Sequence, residues 1–164
     1  MAPTKKATLT QPNKEAAIFL LDVSKSMIEK KITSNTKNGL SRLTCAKSVL
    51  ESMICKLLIG SKSNEGLVFL LGTKGFENHL DDKIINKKSN DEVFDDASAL
   101  CYEFVSKPDL SLLREVNSID GTEKIESSRV SADIFKGLIL AADALYERTH
   151  GRRYRRNITL LTDG

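Results

Sequence analysis

Two stretches of this chain are apolar without a break and then stop abruptly. Residues 16–21 read Ala-Ala-Ile-Phe-Leu-Leu and end at Asp22, and residues 66–73 read Gly-Leu-Val-Phe-Leu-Leu-Gly-Thr. A strand with one wet face alternates apolar and polar positions, so a run without alternation suits a strand covered on both faces. Between the two runs the period changes. Leu43, Ala46, Val49, Leu50, Met53, Ile54, Leu57 and Leu58 recur at three- and four-residue steps. That spacing predicts a helix over 41–58, with Gly60 as its stop signal. Residues 28–40 are polar, contain Asn38-Gly39 and read as a loop.

The second half is more broken. Residues 74–98 are polar and charged and read as a long surface excursion, and 99–105 read as a third strand ended by Lys107-Pro108. Asp109 is placed to cap a short helix carrying Leu110, Leu113, Val116 and Ile119. A second long helix is expected over 131–147, with Ile134, Leu138, Ala141, Ala142 and Leu145 on one face. A basic turn over 150–156 leads into a strand over 157–161. Strands alternating with helices predict an α/β domain on a mainly parallel sheet, with helices on both faces. Residues 1–14 are expected to be a disordered leader and 15–164 a single domain. The chain stops as a buried strand stops, although such strands normally have neighbours on both sides. The expected domain is therefore truncated before its last strands, as the N-terminal part of a longer polypeptide.

Composition removes classes of function. The 164 residues, 40% apolar and 29% charged, are ordinary for a globular domain with its own core. A net charge of +3 does not by itself announce a nucleic-acid binder. The sequence holds no run of 18 apolar residues, so no membrane partner is expected. The first residues lack an apolar signal core, so nothing suggests secretion. Cys45, Cys55 and Cys101 make an odd count without C-x-x-C spacing. Buried thiols in a reducing compartment are expected, rather than a disulfide framework or a zinc site. His79 and His150 lie in polar loops with no partner to position them for catalysis. A G-x-x-x-x-G-K-[ST] loop is absent, so nucleotide hydrolysis is not expected and the chain reads as no enzyme.

Two groups of residues carry candidate chemistry. Asp22 ends the first strand and Asp163 follows the last, with Ser24 and Ser26 in the first loop. Open α/β sheets bind ligands beyond the carboxyl ends of their strands, where strand order reverses. If the two strands flank that point, the aspartates and serines converge there, and such hard oxygen ligands suit Mg²⁺. The structural alternative is serines bonding the loop backbone and aspartates satisfied by nearby amides. The second group is Arg148, Arg152, Arg153, Arg155 and Arg156. A solvated turn after a helix C-terminus is the expected reading. Accessory phosphate contacts by Arg152, Arg153, Arg155 and Arg156 are the alternative.

Asp22-x-Ser24-x-Ser26, together with Thr162-Asp163-Gly164, resembles the von Willebrand factor A domain and its metal-ion-dependent adhesion site. The resemblance makes Asp22, Ser24, Ser26 and Asp163 the metal ligands. Ala132 stands where that pattern has a distant threonine. The implied site is therefore a remnant, with weak or no Mg²⁺ binding. Stretches 43–58, 64–80, 105–119, 131–145 and 152–164, in this order, resemble the N-terminal domain of the larger, eighty-kilodalton subunit of the Ku heterodimer. Gly72-Thr73-Lys74-Gly75 and Pro108-Asp109-x-x-Leu112-Leu113 fit the larger subunit better than the smaller.

The resemblance implies a Rossmann-like von Willebrand A fold. It also implies a heterodimer with the smaller Ku subunit that binds double-stranded DNA ends, mainly through later regions. Its roles would be non-homologous end joining and telomere maintenance, in the nucleus and at chromosome ends. This domain would be a peripheral platform for repair and telomere proteins, with the outer surface of the 41–58 helix as a docking face. Many fungal relatives are described as subunits of an ATP-dependent helicase. The alternative function is a metal-dependent adhesion or ligand-binding domain of the same fold.

Overall fold

The structure, a computed structural model, describes residues 14–29, 32, 39–73, 97–99, 107–119 and 131–164. Among them the chain forms β1 (Glu15–Asp22), α1 (Lys25–Glu29), α2 (Arg42–Gly60), β2 (Glu65–Leu71), β3 (Ala97–Ala99), α3 (Leu110–Asn117), α4 (Ile134–Thr149) and β4 (Arg155–Leu161). The four strands make one sheet in the order β3-β2-β1-β4. β1 runs parallel to both β2 and β4, and β3 lies antiparallel against β2. The architecture is an open, mainly parallel α/β sheet compatible with a Rossmann-like domain.

The unbroken apolar runs are explained by two cores. Ala17, Phe19, Leu21 and Val23 of β1 and its extension, with Val68 and Leu70 of β2, pack against α2 and α3. Ala16, Ile18 and Leu20, with Leu67, Phe69 and Leu71, pack against α4 on the opposite face. Side chains still alternate across the sheet; both sides are simply dry. Two polar residues stitch the layers. Asn64 donates to the Leu57 carbonyl at 3.0 Å and accepts the Glu15 N–H at 3.1 Å, tying the end of α2 to the start of β1. Buried Lys47 of α2 donates to the Asn117 carbonyl at 3.0 Å, at the C-terminal end of α3 where a cation is favoured.

Several expectations are corrected. α2 begins at Arg42 with Ser41 as its cap and runs through Gly60, whose glycine ends the helix as its last residue. Asp109 does cap α3, accepting from Ser111 and Leu112 N–H. Val116 in α3 and Ile119 just past its end are buried as expected and Leu113 packs partly buried against the same core, but Leu112 is buried too, while Leu110 stands 66% exposed. α4 likewise buries Gly137, Leu140, Ala141, Ala144 and Leu145, and leaves Ala142 outside. Cys55 is exposed and Cys45 half-buried, because both lie off the stripe by which α2 meets the sheet. Cys101 lies outside the described residues, as do His79, the 1–13 part of the leader, most of the 74–98 stretch and 100–105 of the expected third strand. β4 was expected to be a buried strand. It is only partly covered, because β1 is its one strand neighbour among the described residues, and Ile158 is 38% exposed.

Candidate functional site

Strand order places β2 on one side of β1 and β4 on the other, so the chain reverses direction of travel across the sheet at β1. Leu21 pairs with Leu161, which sets Asp22 beside Thr162 at the carboxyl ends of the two strands. The loop after β1 is tightly held. Val23 N–H donates to the Leu71 carbonyl at 2.9 Å, and Gly72 turns away beside Ser24 with φ +80°. Asp22 Oδ1 accepts the Ser24 N–H at 2.8 Å, an Asx turn that starts α1. The short helix then carries Ser26 towards the end of β4.

All four residues singled out by the sequence motif meet here. The Ser26 hydroxyl donates to Asp163 Oδ1 at 2.8 Å. A hydroxyl has one proton, so in the 3.2 Å contact between the two serines Ser24 is the donor and Ser26 the acceptor. The Thr162 hydroxyl donates to Asp22 Oδ2 at 2.8 Å and itself accepts the Gly164 N–H at 3.2 Å. The fourth carboxylate oxygen, Asp163 Oδ2, accepts from Arg42 Nη1 at 2.5 Å. The Asp163 side chain is only 6% exposed and that of Arg42 38%. Arg42 escapes sequence reasoning, and Thr162 enters it only as part of the Thr-Asp-Gly pattern, without a role of its own. The only signal for Arg42 is a cation at the first position of a helix, where the backbone end is already positive.

Arranged in this way, the residues do not fit a divalent ion. Mg²⁺ wants oxygens at about 2.0–2.1 Å in near-octahedral order. Here each carboxylate oxygen already accepts a protein donor, and one donor is itself a cation. Ala132, at the threonine position, packs against the α4-side core and offers no side-chain oxygen. Neighbouring Asp133 is committed as the cap of α4, its Oδ1 accepting the Lys136 N–H at 3.0 Å. Among the described residues, no group of three or more His, Cys, Asp and Glu side chains is placed to share a metal.

The arginine group lies at the opposite end of β4, about 20 Å away along the strand. Two of its five members are committed to structure. Arg148 grips buried Glu65 with two bonds, Nε–Oε2 at 2.7 Å and Nη2–Oε1 at 3.1 Å, and the Tyr154 hydroxyl adds a third at 3.1 Å. Burial pushes the Glu65 carboxyl up, but the Arg148 and Tyr154 bonds together outweigh it and hold it below its ordinary 4.5. The same bond raises Arg148. Arg156 bonds the Thr149 hydroxyl and carbonyl, at 2.6 and 3.2 Å. Arg152, Arg153 and Arg155 are exposed, and so is His150, which stacks with Tyr146 at 4.9 Å.

No protein-family model matches the chain. It is 29% identical, over 156 residues, to X-ray repair cross-complementing protein 5 of Dictyostelium discoideum. The alignment takes in 95% of this chain but 17% of that protein, so the chain spans about a sixth of the relative's length. The likeness to this repair protein runs along nearly the whole chain. Among solved structures, the chain resembles an uncharacterized membrane spanning protein from Vibrio fischeri. The TM-score is 0.54 at 16% identity, over 82% of this chain and 50% of the other. At that identity the likeness speaks for the fold alone. No described helix of the present chain is long and apolar enough to cross a membrane.

Proposed function

We propose that the chain is the N-terminal, von Willebrand A-like module of a Ku large subunit. It pairs, within the longer polypeptide, with the smaller Ku subunit to hold double-stranded DNA ends for end joining. The observation that carries this reading is the likeness over 95% of the chain to X-ray repair cross-complementing protein 5, which agrees with the ordered motifs of the sequence. The fold supports it too, since the strand ends bring Asp22, Ser24, Ser26 and Asp163 together as an A-type domain would. In this reading the module is a nuclear docking platform for repair and telomere proteins, and neither catalyses a reaction nor carries the main DNA contact. α2 turns Val49 and Ile59, 47% and 86% exposed, away from the core, which suits a docking face. The alternative, a metal-dependent adhesion domain, draws on the same four residues but sets a cation against Arg42.

The test is co-expression of the polypeptide carrying this chain with the smaller Ku subunit of the same organism. The expected result is a stable one-to-one complex on size-exclusion chromatography. Two species that elute apart at micromolar concentration would sink the proposal.

A further inference from the structure

We infer that Arg42 is the resident cation of the cluster at the ends of β1 and β4. Its guanidinium pairs with Asp163, one of two adjoining buried carboxylates, and the cluster closes without metal, clamping α2 to the end of β4. The inference stands apart from the Ku reading.

Three observations carry it. Asp22 is 4% exposed and the Asp163 side chain 6%, so both are withdrawn from water at neighbouring strand ends. Anions in that position need compensation by hydrogen bonds and an opposite charge. Of the donors named above, all from described residues, the Ser24 N–H and the Thr162 and Ser26 hydroxyls are neutral. Arg42, among the same described residues, is charged.

The second observation is where Arg42 sits. It is the first residue of α2, a helix with no acidic residue in its first turn. A cation there opposes the helix dipole, so the helix alone gives no reason for it. Asp163 Oδ2, at 2.5 Å, gives one. The third observation is reach. The Arg42–Asp163 bond joins positions 121 apart in sequence, and the Ser26–Asp163 bond joins positions 137 apart. One carboxylate thus gathers α1, α2 and the end of β4. A guanidinium stays charged at every accessible pH, so this clamp needs no ion from solution. A divalent ion entering the cluster would meet a fixed like charge at close range.

The experiment follows thermal unfolding of the full chain in EDTA, in MgCl₂ and in NaCl of matched ionic strength. Wild type, Arg42→Gln, Asp163→Asn and the double variant are compared. Wild type is expected to unfold at one temperature in all three media. Arg42→Gln is expected to lower Tm by about 3–5 °C in the wild-type background and by much less beside Asp163→Asn. A rise in wild-type Tm with MgCl₂ beyond the NaCl control overturns the inference. So does an Arg42→Gln loss of equal size in the Asp163→Asn background. Should the variants fail to fold, calorimetric titration of wild type with MgCl₂ decides. Absence of binding heat at millimolar Mg²⁺ supports the clamp, and a saturable heat abolished by Asp22→Ala refutes it.

Discussion

At Gly72 the backbone takes φ +80°, and a Cβ there would lie 3.2–3.3 Å from Ser24 atoms. Glycine is required twice over, for the left-handed turn and for the close approach of the serine loop. Gly72→Ala should cost about 1–2 kcal/mol, read from the midpoint of urea unfolding. Glu65 offers a pH test at the same scale. Its folded-state pKa lies below its ordinary 4.5, so the native state binds fewer protons than the unfolded chain. The pair's stabilisation is complete above about pH 4.5 and is lost as pH falls from there through the folded value. Glu65→Gln should flatten that acid limb and leave the region above pH 6 without slope. An unchanged acid limb in the variant would assign the loss to other carboxylates. Residue-level legibility was uneven. Asp22, Ser24, Ser26 and Asp163 were readable because each follows a strand whose end the apolar pattern marks. Arg42 was not, because its partner is far away in sequence and its local position argues against it.

Elements were legible where burial was total and ambiguous where two stripes overlapped. The runs in β1 and β2 have no other reading once both faces are covered. In α3 and just past it, by contrast, the expected stripe of Leu110, Leu113, Val116 and Ile119 overlaps one formed by Leu112, Val116 and Ile119. Only the position of α2 and the sheet chooses the second. The same rotation moves Ala142 of α4 outward. Caps were simpler, since the oxygen and its N–H donors are neighbours in sequence. Asp109→Ala should cost about 0.5–2 kcal/mol, and circular dichroism should show the lost helicity. Gly137 brings α4 tightly onto the sheet, where a Cβ would fall 2.7 Å from Leu71 Cδ2. Leu71 is itself fully buried in the α4-side core. Gly137→Ala should therefore destabilise by about 1–3 kcal/mol through overpacking, despite alanine's better helix propensity. A stabilised variant would show that α4 is looser on the sheet than the structure has it.

For the whole molecule, the alternation of strands and helices gave the layered α/β arrangement and the convergence at β1. A third strand was expected over 99–105; of that range only Ala99 is described, as the last residue of β3, and the antiparallel sense of β3 leaves no mark in the sequence. The five arginines looked like one basic patch in sequence. In three dimensions Arg148 bonds Glu65 and Arg156 bonds Thr149, while Arg152, Arg153 and Arg155 are exposed. Reversing the charge of Arg152 and Arg153 together should leave the salt dependence of DNA-end binding unchanged in the heterodimer. A slope smaller by about one or two ions would instead restore direct phosphate contact.

The most direct test is gel-shift competition by the heterodimer formed from the polypeptide carrying this chain and the smaller Ku subunit. Labelled linear duplex would be challenged with unlabelled linear duplex or with closed circles of the same sequence and mass. The expected result is that linear DNA competes at nanomolar ends and closed circles do not. Equal competition by circles, or no shifted complex at all, would contradict the assignment of this chain to a DNA-end-binding subunit.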